Sequence, residues 1–286
     1  MRRFARIFSA GALFLAIGSF YPIARADAQT TTKSPASLRM YVFDCATLKD
    51  RDPGAYGLTR EQVGTVDLSD PCFLIVHPKG TLLWETGLND AVYDRPEGGG
   101  AKHDKIDKSL RSQLAEIGYG PADITYLAMS HAHGDHSGNA NDYAGSTWIV
   151  QKAERDFMFS EDVGAISSAK PDEYIKLKSS KTITIDGDYD VFGDETVSLI
   201  STPGHTPGHQ CLLVRLPKTG PVLLSGDLFH FPGEREFHTF PRGSNAVYAA
   251  SRAKIEALLK TTGAQLWIQH DMIGNRKLTK SPAYYE

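Results

Sequence analysis

Cysteine is scarce. Cys45, Cys72 and Cys211 are the three in a chain of 286 residues, and none lies in a C-x-x-C or zinc-ribbon spacing. That excludes a disulfide scaffold, so burial must hold the core. In an oxidising compartment Cys45 and Cys72 can pair while Cys211 stays buried; three inert thiols are the alternative. An excess of positive charge is also lacking: 31 Lys and Arg face 34 Asp and Glu, a formal net charge of -3. A nucleic-acid partner therefore has no electrostatic support. No internal repeat is visible, and no serine or cysteine stands in a nucleophile motif. With 41% hydrophobic and 23% charged residues the composition is that of an ordinary soluble globular protein.

The long apolar run sits at the start. Arg2, Arg3 and Arg6 precede an uncharged stretch from Ile7 to Ala24, followed by Ala24-Arg25-Ala26-Asp27-Ala28, an A-x-A-like exit. Residues 1–28 are expected to be a signal peptide, which makes the mature protein periplasmic or secreted, without stable membrane insertion after cleavage. An uncleaved anchor is the alternative, weakened by Gly11, Gly18 and Pro22. Residues 29–37 are rich in Thr, Ser and Pro and read as a flexible lead-in, and 38–286 as a single catalytic domain.

Within that domain, short apolar runs bounded by Gly, Pro, Asp or Asn predict ten strands: 39–45, 72–77, 81–85, 124–129, 147–151, 182–185, 196–201, 211–216, 222–225 and 265–269. Helical periodicity appears over 105–117 and 245–259. The stretch 90–103, with Gly98-Gly99-Gly100, reads as a loop. Ten strands with few long helices favour an α/β fold of two packed sheets flanked by helices.

Histidine is concentrated. His131, His133, Asp135 and His136 fall in Ser130-His131-Ala132-His133-Gly134-Asp135-His136-Ser137-Gly138, directly after an expected strand. Four potential ligands within six residues, with small Ala132 and Gly134 between them, suit a tight turn whose side chains converge. Burying such a group costs heavily unless a cation offsets it. His205 in T-P-G-H-T-P-G-H, Asp227 in S-G-D and His270 each lie just beyond a strand as well, so the segments can share one edge of layered sheets. An exposed polar turn is the alternative.

These four motifs, in this order and spacing, resemble the metallo-β-lactamase superfamily, over nearly the whole chain from about Leu38. The resemblance implies a four-layer αβ/βα sandwich with two divalent metal ions at one edge, zinc being the expected ion, although iron, manganese or cobalt also fits. It puts His131, His133 and His205 on one metal and Asp135, His136 and His270 on the other, with Asp227 bridging. His209 is then structural rather than a ligand. Two such cations lower the pKa of a bridging water enough to supply hydroxide near neutral pH, which hydrolyses without a protein nucleophile. Asp135 is the candidate proton carrier to the leaving oxygen.

Asp227 argues against true β-lactamases, which lack the bridging Asp. The 16 residues after His270 leave no room for the helical domain of glyoxalase II. The closest resemblance is to the N-acyl homoserine lactonases, which implies hydrolysis of a small-molecule lactone or ester, and often a homodimer. A metallo-esterase, phosphodiesterase or β-lactamase-like hydrolase on the same site is the runner-up, and a non-catalytic metal-binding protein a third reading. Phe157, Met158, Phe159, Phe229, Phe231, Phe237 and Tyr248 are candidate walls for an acyl tail, and the aromatic stretch 229–240 is alternatively an interface. Two positions depart from the family. Many of those lactonases carry a Tyr three residues after the bridging Asp, where His230 stands here, a candidate hydrogen-bond donor or acid. Their Asp-Thr-Gly is Glu85-Thr86-Gly87, one methylene longer, which bears on the orientation of a ligand histidine.

Overall fold

The computed structural model describes residues 1, 37–92, 104–161, 163 and 168–286. The expected signal peptide beyond Met1, the lead-in up to Ala36 and the glycine-rich part of the 90–103 loop lie outside the described residues. Ser34–Glu286 is one compact unit.

Two sheets form. The first has the order β1 (Arg39–Leu48), β2 (Leu68–His77), β3 (Gly80–Trp84), β4 (Tyr126–Ala128), β5 (Thr147–Gln151), β6 (Thr182–Ile185), antiparallel up to β3 and parallel from there. The second runs β11 (Gln265–Trp267), β10 (Gly220–Leu224), β9 (Gln210–Leu216), β8 (Val197–Ser201), β7 (Tyr189–Asp190), with β10 and β11 parallel and the rest antiparallel.

The period-2 pattern assigns each face. On β1, Met40 and Val42 point into the layer between the sheets, with Phe73, Ile75, Trp84, Leu212, Val214 and Leu224, whereas Tyr41 and Phe43 face outward. Helix α1 (Leu110–Glu116) covers that outer face through Leu110 and Leu114, and α6 (Ala246–Thr262) covers the second sheet through Ile255 over Leu213 and Leu223. The order helix, sheet, sheet, helix is the four-layer sandwich. Each fully buried Leu or Phe contributes about 1.5–3 kcal/mol to it.

Two boundaries move for local reasons. The expected helix over 105–117 begins only at Leu110, because Lys105 exchanges two backbone hydrogen bonds with Thr47 and Ser109 caps the first turn. Asn245 caps α6, accepting from the N–H groups of Val247 and Tyr248. Cys45 sits at a bulge of β1 and is bonded to Cys72 on β2; Cys211 is free and buried. Among the described residues no helix is long and apolar enough to cross a membrane.

The chain directions matter for function. β3 and β4 are parallel, β10 and β11 are parallel, and β8 runs with β10 because both oppose β9. Glu85, the 130–136 segment, the 202–209 segment, Asp227 and His270 therefore all leave strand C-terminal ends.

Candidate metal centre

The 130–136 segment leaves β4 two residues after Ala128. His131 and His133 project from the extended part, while Asp135 and His136 lie on α2 (Gly134–Ser137), a single helical turn. The second loop, 202–209, packs so closely that a Cβ on Gly208 would fall 2.2 Å from the Glu154 nitrogen. Gly226, before Asp227, adopts φ +50, and a Cβ there would lie 2.6 Å from His209 Nε2. Only glycine permits both approaches.

All seven expected ligands come together, arranged about Asp227. On one flank His205 Nε2 lies 3.1 Å from both His131 Nε2 and His133 Nδ1, and Asp227 Oδ2 is 3.1 Å from His205 Nε2 and 3.6 Å from His131 Nε2. On the other, Asp227 Oδ1 is 3.0 Å from His136 Nε2 and 2.9 Å from His270 Nε2. Asp135 completes this flank, Oδ2 3.7 Å from His270 Nε2 and Oδ1 3.9 Å from His136 Nε2. The donor atoms of His131, His133, His205 and Asp227 all lie within 4.8 Å of one another, as do those of Asp135, His136 and His270.

The donor set fits cations. His136 Nε2 and Asp227 Oδ1 are buried 3.0 Å apart, yet among the described residues neither is aligned in a hydrogen bond, which a folded protein rarely leaves uncompensated. Burial holds the imidazole of His131 well below its usual pKa, lowers that of His133 to about 3, and lowers that of His205, so the three present neutral lone pairs. Burial opposes charge on His136 and His270 too, but Asp227 outweighs it and both are raised. Protons there balance Asp227, a role that a cation takes over.

Comparison with known proteins agrees with the geometry. Residues 67–262 match the metallo-beta-lactamase superfamily. The chain belongs to that superfamily. N-acyl homoserine lactonase AttM of Azorhizobium caulinodans is 31% identical over 268 residues, covering 87% of this chain and 99% of the relative. An N-acyl homoserine lactonase from a Bacillus species is 34% identical over 231 residues, covering 77% and 88%. Among solved structures, an N-acyl homoserine lactone hydrolase with N-hexanoyl-L-homoserine bound at its catalytic metal centre superposes with a TM-score of 0.72 at 22% identity, covering 87% of this chain and 99% of that one. AidC, a dizinc quorum-quenching lactonase, gives 0.60 at 17%, covering 87% and 94%. The histidine and aspartate cluster of this superfamily member is a divalent-metal site.

The distal nitrogens of three of the five candidate ring ligands are anchored in the way metal-binding histidines usually are. His131 Nδ1 meets Ser130 Oγ at 2.9 Å, His270 Nδ1 donates to the Ser69 carbonyl at 2.7 Å, and His136 Nδ1 lies 3.3 Å from Glu85 Oε1. The longer Glu85 thus acts on His136, while its carboxylate also accepts from Ser130 N–H. His209 stands outside the ligand groups: its Nε2 accepts from Asp227 N–H at 3.0 Å and its Nδ1 meets Thr202 Oγ1.

Sequence reasoning missed the struts. Glu154 is buried and accepts from Ala132 N–H, Thr206 Oγ1 and Gly208 N–H, tying the two histidine loops together; burial pushes its pKa up to about 7 against those donors. Gln269 Oε1 accepts from Gly226 N–H and Trp84 Nε1. Glu154 lies away from the motifs, and Gln269, although next to His270, bonds to Gly226 and Trp84 far along the chain, so neither gave a local signal.

His230 faces the cluster, Nε2 3.1 Å from Asp227 Oδ2 and Nδ1 3.5 Å from Glu234 Oε1. Glu234 also accepts from the His230 and Phe231 N–H groups and is paired with Arg252. Burial opposes its charge, but Asp227 and Glu234 carry the His230 pKa up to about 9.

The ligands floor a cavity of about 780 Å³. Its apolar wall corrects the aromatic expectation: Leu48, Leu68, Leu88, Ala55, Tyr56 and Pro241 line it, and none of the seven predicted residues does. Phe157, Met158 and Phe159 pack in the outer layer of the first sheet and Phe229 beneath α6. Phe231 packs behind Leu48 and Leu68, Phe237 is exposed, and Tyr248 is buried with its hydroxyl donating to the Asp227 and Leu228 carbonyls.

Proposed function

We propose that this chain is a metal-dependent hydrolase that opens the lactone ring of N-acyl homoserine lactones. The observation that carries the reading is the Asp227 carboxylate, with one oxygen toward each ligand group, in a cavity whose lining includes Leu48, Leu68 and Leu88. The lactonases similar over nearly the whole chain support the substrate class. The occupants are two divalent ions, zinc by preference for imidazole with carboxylate. His131, His133 and His205 hold one, Asp135, His136 and His270 the other, and Asp227 is shared.

When bound, these ions supply Lewis acidity and make hydroxide available near neutral pH. The protein's own groups do the rest. His209 fixes the backbone of Asp227 and so the line between the two ligand groups. With Asp227 engaged by the ions, the N–H of His230 Nε2, which otherwise meets Asp227 Oδ2, would be free to donate to the substrate carbonyl, and Glu234 holds the His230 backbone and lies beside Nδ1 at 3.5 Å. Asp135 is the carboxylate more open to the cavity, 21% exposed at the side chain against 5% for Asp227, and carries the proton to the leaving alkoxide.

Residues 1–28 are proposed as a signal peptide and 29–37 as a lead-in to the catalytic domain, with a periplasmic or secreted location. The Cys45–Cys72 disulfide supports an oxidising compartment. Exposed Phe237, Phe240 and Val247 support a homodimer. The test is ring opening followed by pH-stat on protein loaded with metal and counted for ions, over a series of acyl lengths. Turnover with two ions per chain is expected, and no turnover at any length overturns the reading.

A further inference from the structure

Tyr56 is the last residue of a short turn, Pro53–Tyr56, capped by the Asp52 side chain and closed by Gly57 at φ 72. The turn is seated by Arg242 N–H donating to the Ala55 carbonyl at 2.7 Å, and by Gly57 packing against Thr239. This presents the Tyr56 ring to the cavity, its centroid 4.3 Å from that of His230 and 5.3 Å from Phe231. Of the neighbouring donors, Asn89 is committed to the Gly138 carbonyl, and Arg51 to Asp104 and the Lys49 carbonyl. The Tyr56 hydroxyl makes no hydrogen bond among the described residues. Burial foremost, then the Asp227 and Asp135 carboxylates, raise its pKa, so it remains a donor throughout the neutral range.

Position decides which substrate atom it meets. His230 Nε2 lies against Asp227, and Tyr56 lies one ring layer further out, against the face of His230. In an N-acyl homoserine lactone the amide nitrogen sits on the carbon next to the ring carbonyl, so the amide carbonyl is one functional group outward from the reacting carbon. With the ring carbonyl at His230, the amide carbonyl comes alongside Tyr56, and the tail continues onto Leu48, Leu68 and Leu88, with which Tyr56 shares a cluster. We infer that the Tyr56 hydroxyl donates a hydrogen bond to the acyl-amide carbonyl, so that the site selects lactones bearing an N-acyl arm over plain γ-lactones. This rests on the lactonase reading above.

The experiment compares metal-loaded wild type and Tyr56→Phe on N-hexanoyl homoserine lactone and γ-decalactone. Tyr56→Phe keeps the stacking ring and removes only the donor. The ratio of kcat/KM between the two substrates is expected to fall about tenfold, mainly through KM, with unchanged melting temperature and metal content. Affinity for the ring-opened product, N-hexanoyl-homoserine, weakens in parallel at equilibrium. Tyr56→His, which restores a ring donor, recovers part of the preference, and serves if the phenylalanine variant folds poorly. An active wild type whose ratio changes by less than about twofold in Tyr56→Phe overturns the assignment alone, since a lost hydrogen bond exceeds that. A fully metallated wild type that opens neither lactone overturns the lactonase reading and the assignment with it.

Discussion

Floor and mouth of the cavity hold their side chains differently. On the floor His131, His136 and His270 each have a second partner fixing the ring, in Ser130, Glu85 and Ser69, and Glu154 ties the two loops that carry four of the five candidate ligand histidines. At the mouth, the side chains of Leu48, Leu68 and half-buried Leu88 are placed by apolar packing on bonded backbone, and Tyr56 by a turn capped by Asp52 and pinned to the rest of the fold through a backbone hydrogen bond from Arg242. Directional bonds hold donor atoms to the tolerance that metal binding needs, whereas packing fixes volume and leaves shape adjustable. On the proposed function, chemistry would belong to the floor and substrate choice to the mouth.

That contrast can be broken most directly at Asp227. Asp227→Ala removes the carboxylate both ligand groups share, so kcat/KM is expected to fall on the order of 10³-fold or more. Elemental analysis should show bound metal falling with it, and retained cleavage would refute the shared role.

A stability effect links the two regions. Cys45 and Cys72 join the strands that carry Leu48 and Leu68, and both pack against Gly87 beside the floor. Replacing both by Ser should cost about 3 kcal/mol for a 27-residue separation, read by urea unfolding. An unchanged midpoint would show the bridge idle.

Glu154 sharpens the floor. Its pKa is raised from 4.5 to about 7 in the fold, so its contribution to stability is fully present below pH 4.5 and is lost as pH rises toward 7. The loss amounts to up to about 3 kcal/mol, and Glu154→Gln, which cannot ionise, should flatten that part of the stability curve. A slope identical in the variant would remove Glu154 from the account.

The smallest change expected is at the mouth. Leu88→Trp narrows the aliphatic wall and should raise KM for a decanoyl lactone about tenfold while kcat moves by less than about twofold. An equal loss in kcat would mean that mouth and floor are not separable.

The ligands were legible because H-x-H-x-D-H is local: four donors within six residues after one strand can converge without help from distant chain, and His205, Asp227 and His270 announce themselves at other strand ends. The layers were legible from alternation, as in Met40 and Val42 against Tyr41 and Phe43. β7, a two-residue strand at Tyr189–Asp190, is too short for a period to show. The struts were not legible, since Glu154 meets Thr206 across 52 positions and Gln269 meets Trp84 across 185. Nor was the pocket wall, because an aromatic residue such as Phe229 declares that it will be buried, not in which layer. Here it lies under the Arg252 guanidinium, 4.4 Å from its ring centre.

By itself the amino-acid order determined the sandwich, the ligand-bearing turns and the kind of chemistry they serve, since periodicity, small spacers and donor type act over a few residues. Tertiary structure alone decided that Arg252 anchors Glu234, that Glu154 braces the loops, and that leucines and Tyr56 rather than phenylalanines line the cavity. Those outcomes depend on which distant surfaces meet when the sheets pack, and no short stretch of chain carries that information.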